Sequence, residues 1–248
     1  MNMDLDERWA RWCERFDAAE RDIRTLFLNR HIWLSITEMW EKNADAIELN
    51  TLTLNWHINL YVTTQCTGIR RECDADTSTS SLQNCLQELI KFPEMANRSR
   101  FDASVEAHPA IPAAAKSIQK SKFDEFAASG QSPEIDRDKV QKDVDRLRDA
   151  AKTTRHYTNK IVAHRDHKHE KITLPWVDLD TALNTVGDVL KRYFTLRNPP
   201  EIKGNLTPEL PLGWERPYQA AWCPPGYMPP QAKSLDDYVH PTAPPAGT

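Results

Sequence analysis

The chain has 248 residues, 40% of them hydrophobic and 27% charged, with a net charge of −4; that is enough apolar material for one large domain or two small ones. Seven Gly with no GxGxxG or Walker-type run exclude the glycine-rich phosphate loops of dinucleotide folds and nucleoside-triphosphate motors, whose backbone must approach phosphate without a Cβ in the way. The five Cys are odd in number and widely spaced, without a CxxC pair, which fits neither a disulfide framework nor a zinc ribbon.

In chain order, Leu5, Trp9, Trp12, Phe16, Ala19, Ile23 and Leu26 repeat at steps of four and three, which keeps one apolar stripe on one helix face. Trp33, Ile36 and Trp40 continue it helically, and residues 43–45 read as a turn or a frayed helix end. Residues 47–72 are apolar with weaker periodicity. They are long for a strand and contain no Pro, so they read as a buried helix running into Arg70-Arg71. Asp74 to Ser81 is a polar turn. Ser80 or Ser81 is placed to cap a short helix carrying Leu82, Leu86, Leu89 and Ile90, ended by Pro93. Residues 94–133 read as loops around short helical pieces.

Pro133-Glu134 is expected to open a long helix with the seam Val140, Val144, Leu147, Ala151, Thr154, Thr158 and Ile161. The seam tapers from large and apolar to small and polar, which suits close helix packing, each Thr hydroxyl bonding within its own helix. After a connection at 172–176 containing Pro175, Asp178 or Asp180 is expected to cap a last helix. Its stripe is Leu179, Leu183, Val186, Leu190 and Tyr193, and Asn198-Pro199-Pro200 stops it. Twelve of the 17 Pro lie from Pro199 onward, so residues 199–248 read as a Pro-rich, largely irregular tail. Its Trp214, Tyr218, Trp222 and Tyr227 are too aromatic for a purely solvated linker, so part of it is expected to dock on the bundle or on a partner. The expected organisation is an all-α domain over residues 1–198 and a tail over 199–248. The acidic N-terminus and the lack of a long apolar run point to a soluble, cytoplasmic chain without membrane contact.

Charge is unevenly placed. Between Lys152 and Lys171 six Lys or Arg face two acids, and four of the eight His fall in the same segment. A solvated helix end is one reading, since cations suit the C-terminal end of a helix dipole; a polyanion site is the other. His164, His167 and His169 are spaced by three and two rather than by the four of a helical zinc pair, so no metal site is expected.

Asn159-Lys-Ile-Val-Ala-His-Arg-Asp166, at the end of the long helix, resembles the signature of the HEPN superfamily, in particular the HEPN-like proteins of bacterial abortive-infection systems. The resemblance spans residues 5–197 in helix order, but only 155–166 carry it in sequence. It implies an antiparallel helical bundle and metal-independent RNA cleavage, by a homodimer that brings two motifs together, in phage defence or a toxin–antitoxin pair. On it, His164 is the acid/base and Asn159 the polar residue, with Arg155 or Arg165 standing in as the cation, Lys160, Arg165 and Asp166 as binding residues and no cofactor. The sequence departs from the family pattern at Thr158, where the family carries Arg; Arg155 lies one helical turn earlier, on the face it shares with Asn159. Some relatives carry a Tyr two residues after the His, modified by a partner nucleotidyltransferase; Asp166 stands there in this chain. The alternative function is a non-catalytic binding or scaffold protein, in which Ala163-His164-Arg165-Asp166 closes the helix end structurally.

Overall fold

A computed structural model describes residues 4–42, 51–76, 78–130, 132–163, 174–197 and 206. The chain divides into two units, Met1–Pro208 and Glu209–Thr248, and every described residue belongs to the first. Seven α-helices make up most of it: α1 (Leu5–Lys42), α2 (Thr51–Glu72), α3 (Leu82–Lys91), α4 (Arg98–Ala107), α5 (Ala113–Ser121), α6 (Arg137–Tyr157) and α7 (Trp176–Arg197). The described residues contain no β-strand, only two isolated bridges, Asn97–Glu134 and Ala127–Ile135. The fold is therefore an all-α bundle, as the spacing of apolar residues predicts. None of these helices is long and apolar enough to cross a membrane.

α1 runs unbroken through both apolar clusters of the N-terminal sequence. Trp12, Phe16, Ala19, Ile23, Leu26 and Ile36 are buried, while Leu5 at its start is exposed. Trp12 stacks between Trp9 and Phe16 and donates its indole N–H to the Cys85 carbonyl at 2.9 Å, which ties α1 to α3. Ser81 caps α3 by accepting the Asn84 N–H at 3.2 Å, and the helix ends just before Pro93. α6 lies against α2, α3 and α7, and α1 against α2, α3 and α7, so the core lies among these five helices.

Three sequence expectations are corrected. Among the described side chains of α2, the buried apolar ones lie in its second half, at Tyr61, Val62, Cys66 and Ile69; Trp56 and Leu60 are more than half exposed. α6 starts at Arg137, not at Pro133-Glu134. Glu134 and Ile135 form the two bridges instead, and Asp136 caps the helix by accepting the Asp138 N–H at 2.9 Å. Asp178 lies in the first turn of α7 rather than at its cap, and Asp180 pairs with Arg30 at 3.2 Å; the chain enters α7 directly from Pro175. The turn expected at 43–45, the stop at 198–200 and the tail lie outside the described residues, apart from Leu206. That residue is buried in the core, beside the place where a Cβ on Gly187 would come within 3.0 Å of it and 2.5 Å of Phe27.

Candidate functional site

The segment singled out by sequence begins on α6. The tapering seam is seen there as far as Thr158: Val140, Val144, Leu147, Ala151, Thr154 and Thr158 are buried, and the side chain of Ile161 lies outside the described ones. Each of the two threonines bonds within its own helix, Thr154 to the Ala151 carbonyl at 3.0 Å and Thr158 to the Thr154 carbonyl at 2.8 Å. The α-helix does not run on to the end of the motif. After Tyr157 it widens into a π-helical turn over Thr158–Ala163. Such turns shift the register of side chains on a helix and recur at functional sites.

Within this turn Asn159 is exposed and Lys160 half-buried. Arg155, one turn before, is half-buried and donates from Nη2 to the Cys73 carbonyl at the end of α2, at 2.8 Å. That bond fixes the guanidinium and leaves its other N–H donors available. Thr158, the position where the resemblance calls for Arg, is 3% exposed with its hydroxyl already bonded. A guanidinium there would enter the core without a partner. The structure thus brings Arg155, Asn159 and Lys160 to one end of α6. His164, Arg165 and Asp166 lie outside the described residues, as do His167 and His169 of the metal reading. Among the described residues no group of three or more His, Cys, Asp or Glu is placed to hold a metal ion.

Arg155 also lines a hollow of about 260 Å³, together with Arg70, Asp74, Ala75, Gln83 and Arg148. Arg148 and Arg155 are seven residues apart, two turns of α6, so they share a face. Arg70 comes from the last turn of α2 and Gln83 from the first turn of α3. Three guanidiniums thus face one carboxylate. Only Arg155 among these was a site candidate in the sequence; Arg148 lies two turns earlier on the same helix, the others come from elsewhere in the chain, and none carries a motif.

The end of α2 also carries an unusual carboxyl. Glu72 ends α2 with its side chain 1% exposed. One oxygen accepts the Leu82 N–H at 3.2 Å, and the other meets Arg71 Nε at 3.3 Å. Burial dominates: it pushes the Glu72 carboxyl from 4.5 up to about 7, against the opposing pull of the Leu82 N–H and Arg71. The raised value means that the folded state prefers the protonated acid. The resulting stability is fully present below about pH 4.5 and is lost as pH rises through about 7. At about 1.4 kcal/mol per pKa unit, the loss is on the order of 3 kcal/mol. Urea unfolding midpoints measured from pH 4.5 to 8 should show this decline in wild type and a shallower one in Glu72→Gln. Parallel profiles would mean that Glu72 ionises freely.

No family model, no curated protein and no solved structure matches the chain. Its function has to be read from the residues themselves.

Proposed function

We propose that the chain is a HEPN-like, metal-independent endoribonuclease, serving phage defence or a toxin–antitoxin pair, with His164 as its proton-transfer residue. The observation that carries this reading is the end of α6. There the helix passes into a π turn, sets Asn159 and Lys160 at the start of the basic, His-rich segment, and holds Arg155 fixed against Cys73. RNA cleavage needs a group that takes and gives protons at the ribose 2′-hydroxyl and the leaving oxygen, and a cation for the charge that gathers on phosphate. His164 supplies the first, Arg155 or Arg165 the second, and Asn159 orients phosphate or imidazole. A homodimer would place two such motifs together, and an antitoxin is the expected kind of regulatory partner.

A second reading, a non-catalytic scaffold, is favoured by one observation. Thr158 is buried with its hydroxyl spent on the Thr154 carbonyl, so the family's cation is missing from its usual place. The experiment that separates the two is incubation of purified wild-type and His164→Ala protein with total RNA and with tRNA, with and without a chelator. Chelator-resistant cleavage that requires His164 supports the enzyme. Intact RNA with folded wild-type protein leaves the scaffold.

A further inference from the structure

We propose that the hollow between the end of α2, the start of α3 and α6 is a binding site for a phosphate group, held by Arg70, Arg148 and Arg155 with Gln83. The site goes beyond the cleavage reading: it needs neither His164 nor RNA.

The first observation is charge. Three guanidiniums and one carboxylate, Asp74, line a cavity of about 260 Å³, which leaves it cationic. Among the described residues Arg70 makes no ion pair. Arg148 makes only a 3.7 Å pair with Asp145 in which both side chains are about half exposed, a weak tie that costs little to break. Arg155 is steadied by the Cys73 carbonyl and keeps donors free. Planar guanidiniums recognise phosphate oxygens in bidentate fashion, and three of them around one hollow have no anion to match within it except Asp74. The Asp74 carboxylate is itself engaged, accepting the Asp76 N–H at 3.1 Å.

The second observation is independent of charge. Gln83 is 1% exposed, and its Oε1 is buried without a hydrogen-bond partner. Buried polar atoms are nearly always paired, because leaving one unpaired forfeits its hydration with no return. It belongs to a residue that lines the hollow. The NH2 of the same carboxamide is a donor for a phosphate oxygen. Gln83 also sits in the first turn of α3, where the Leu82 and Asn84 N–H groups are taken by Glu72 and Ser81 and the Gln83 N–H lacks an intrahelical partner.

Size restricts the ligand. Pockets for drug-sized molecules run from about 300 to 1,000 Å³. A hollow of about 260 Å³ suits one phosphate group with part of an attached sugar rather than a dinucleotide or longer. The shared chemistry is therefore a phosphate oxyanion, whether free or at the 5′ end of a nucleotide.

The test is calorimetric titration of the full chain with inorganic phosphate and, separately, with adenosine 5′-monophosphate, at fixed ionic strength. Saturable binding of at least one probe is expected. The double variant Arg70→Gln/Arg148→Gln should weaken it at least tenfold. Lys152→Gln, an exposed change on α6 that does not line the hollow, should leave it unchanged. Tighter binding of the nucleotide identifies a nucleotide as the source of the phosphate, and equal binding identifies phosphate itself. No saturable binding of either probe overturns the site. So does a double variant that is folded by circular dichroism and binds like wild type, or an equal loss in Lys152→Gln. Phosphate binding without RNA cleavage would fail only the ribonuclease reading, and cleavage without phosphate binding would fail only this one.

Discussion

Replacing Asp143 with Ala should destabilise the bundle by about 3–5 kcal/mol, the usual cost of removing one partner from a buried ion pair. The Asp143 side chain is 2% exposed on α6, and three groups converge on it: Arg192 Nη1 at 2.6 Å, Arg146 Nη1 at 3.0 Å and the Tyr193 hydroxyl at 3.1 Å. Arg146 is half exposed and can turn to water when the carboxylate is gone. Tyr193 is fully buried and cannot, so its hydroxyl would lose its acceptor. Arg192 would keep the Glu125 carbonyl at 2.9 Å and its place over the Phe126 ring, but not its counter-charge. Asp145→Ala, two residues on and exposed, is the control and should stay within about 0.5 kcal/mol of wild type. Urea unfolding followed by circular dichroism measures both. Equal midpoints for the two variants would show that the α6–α7 seam does not depend on this carboxylate.

On the proposed function, His164→Ala should lower RNA cleavage by roughly a hundred- to ten-thousand-fold, the usual contribution of one general acid/base. Its unperturbed pKa of about 6.5 lets an imidazole give and take a proton near neutrality. Arg155→Gln should weaken cleavage more than Lys168→Gln, because Arg155 is anchored at the end of α6 while Lys168 lies beyond the motif. Chelators should leave the rate unchanged. Restoring the family pattern with Thr158→Arg is not a useful gain-of-function test, since the 3% exposure of Thr158 makes that change a burial of charge. A cleaving wild type whose rate is untouched by His164→Ala would remove His164 from the mechanism.

The three stripe helices were legible because each buries one continuous face, and a four-three spacing records that face directly. Trp12, Val144 and Leu190 are fully buried where the spacing places them. What was not legible depends on partners distant in sequence. Asp143 falls three residues after Val140, on the buried face, yet a polar residue contributes nothing to an apolar stripe; its reason for being there lies at positions 192 and 193. The exposed Trp56 and Leu60 mislead in the opposite sense, being apolar residues on an uncovered face of α2. The true start of α6 was written locally, in Asp136, but Pro133-Glu134 gives an equally ordinary opening signal. Only the bridges to Asn97 and Ala127 decide between them. Arg155 was found through its place in a motif. Arg70, Gln83 and Arg148 belong to no motif and become a group only when α2, α3 and α6 meet.

The sulfur chemistry of the molecule follows from its packing. Cys13, Cys66, Cys73 and Cys85 are all buried and unpaired, and burial pushes the Cys13 thiol up to about 11 and the other three up to about 12. At neutral pH almost none of each is thiolate, the form that attacks alkylating reagents and disulfides. These four sulfurs therefore behave as sealed timers. Labelling them requires the bundle to open, and Cys13 in α1, Cys66 in α2 and Cys85 in α3 each report on a different helix.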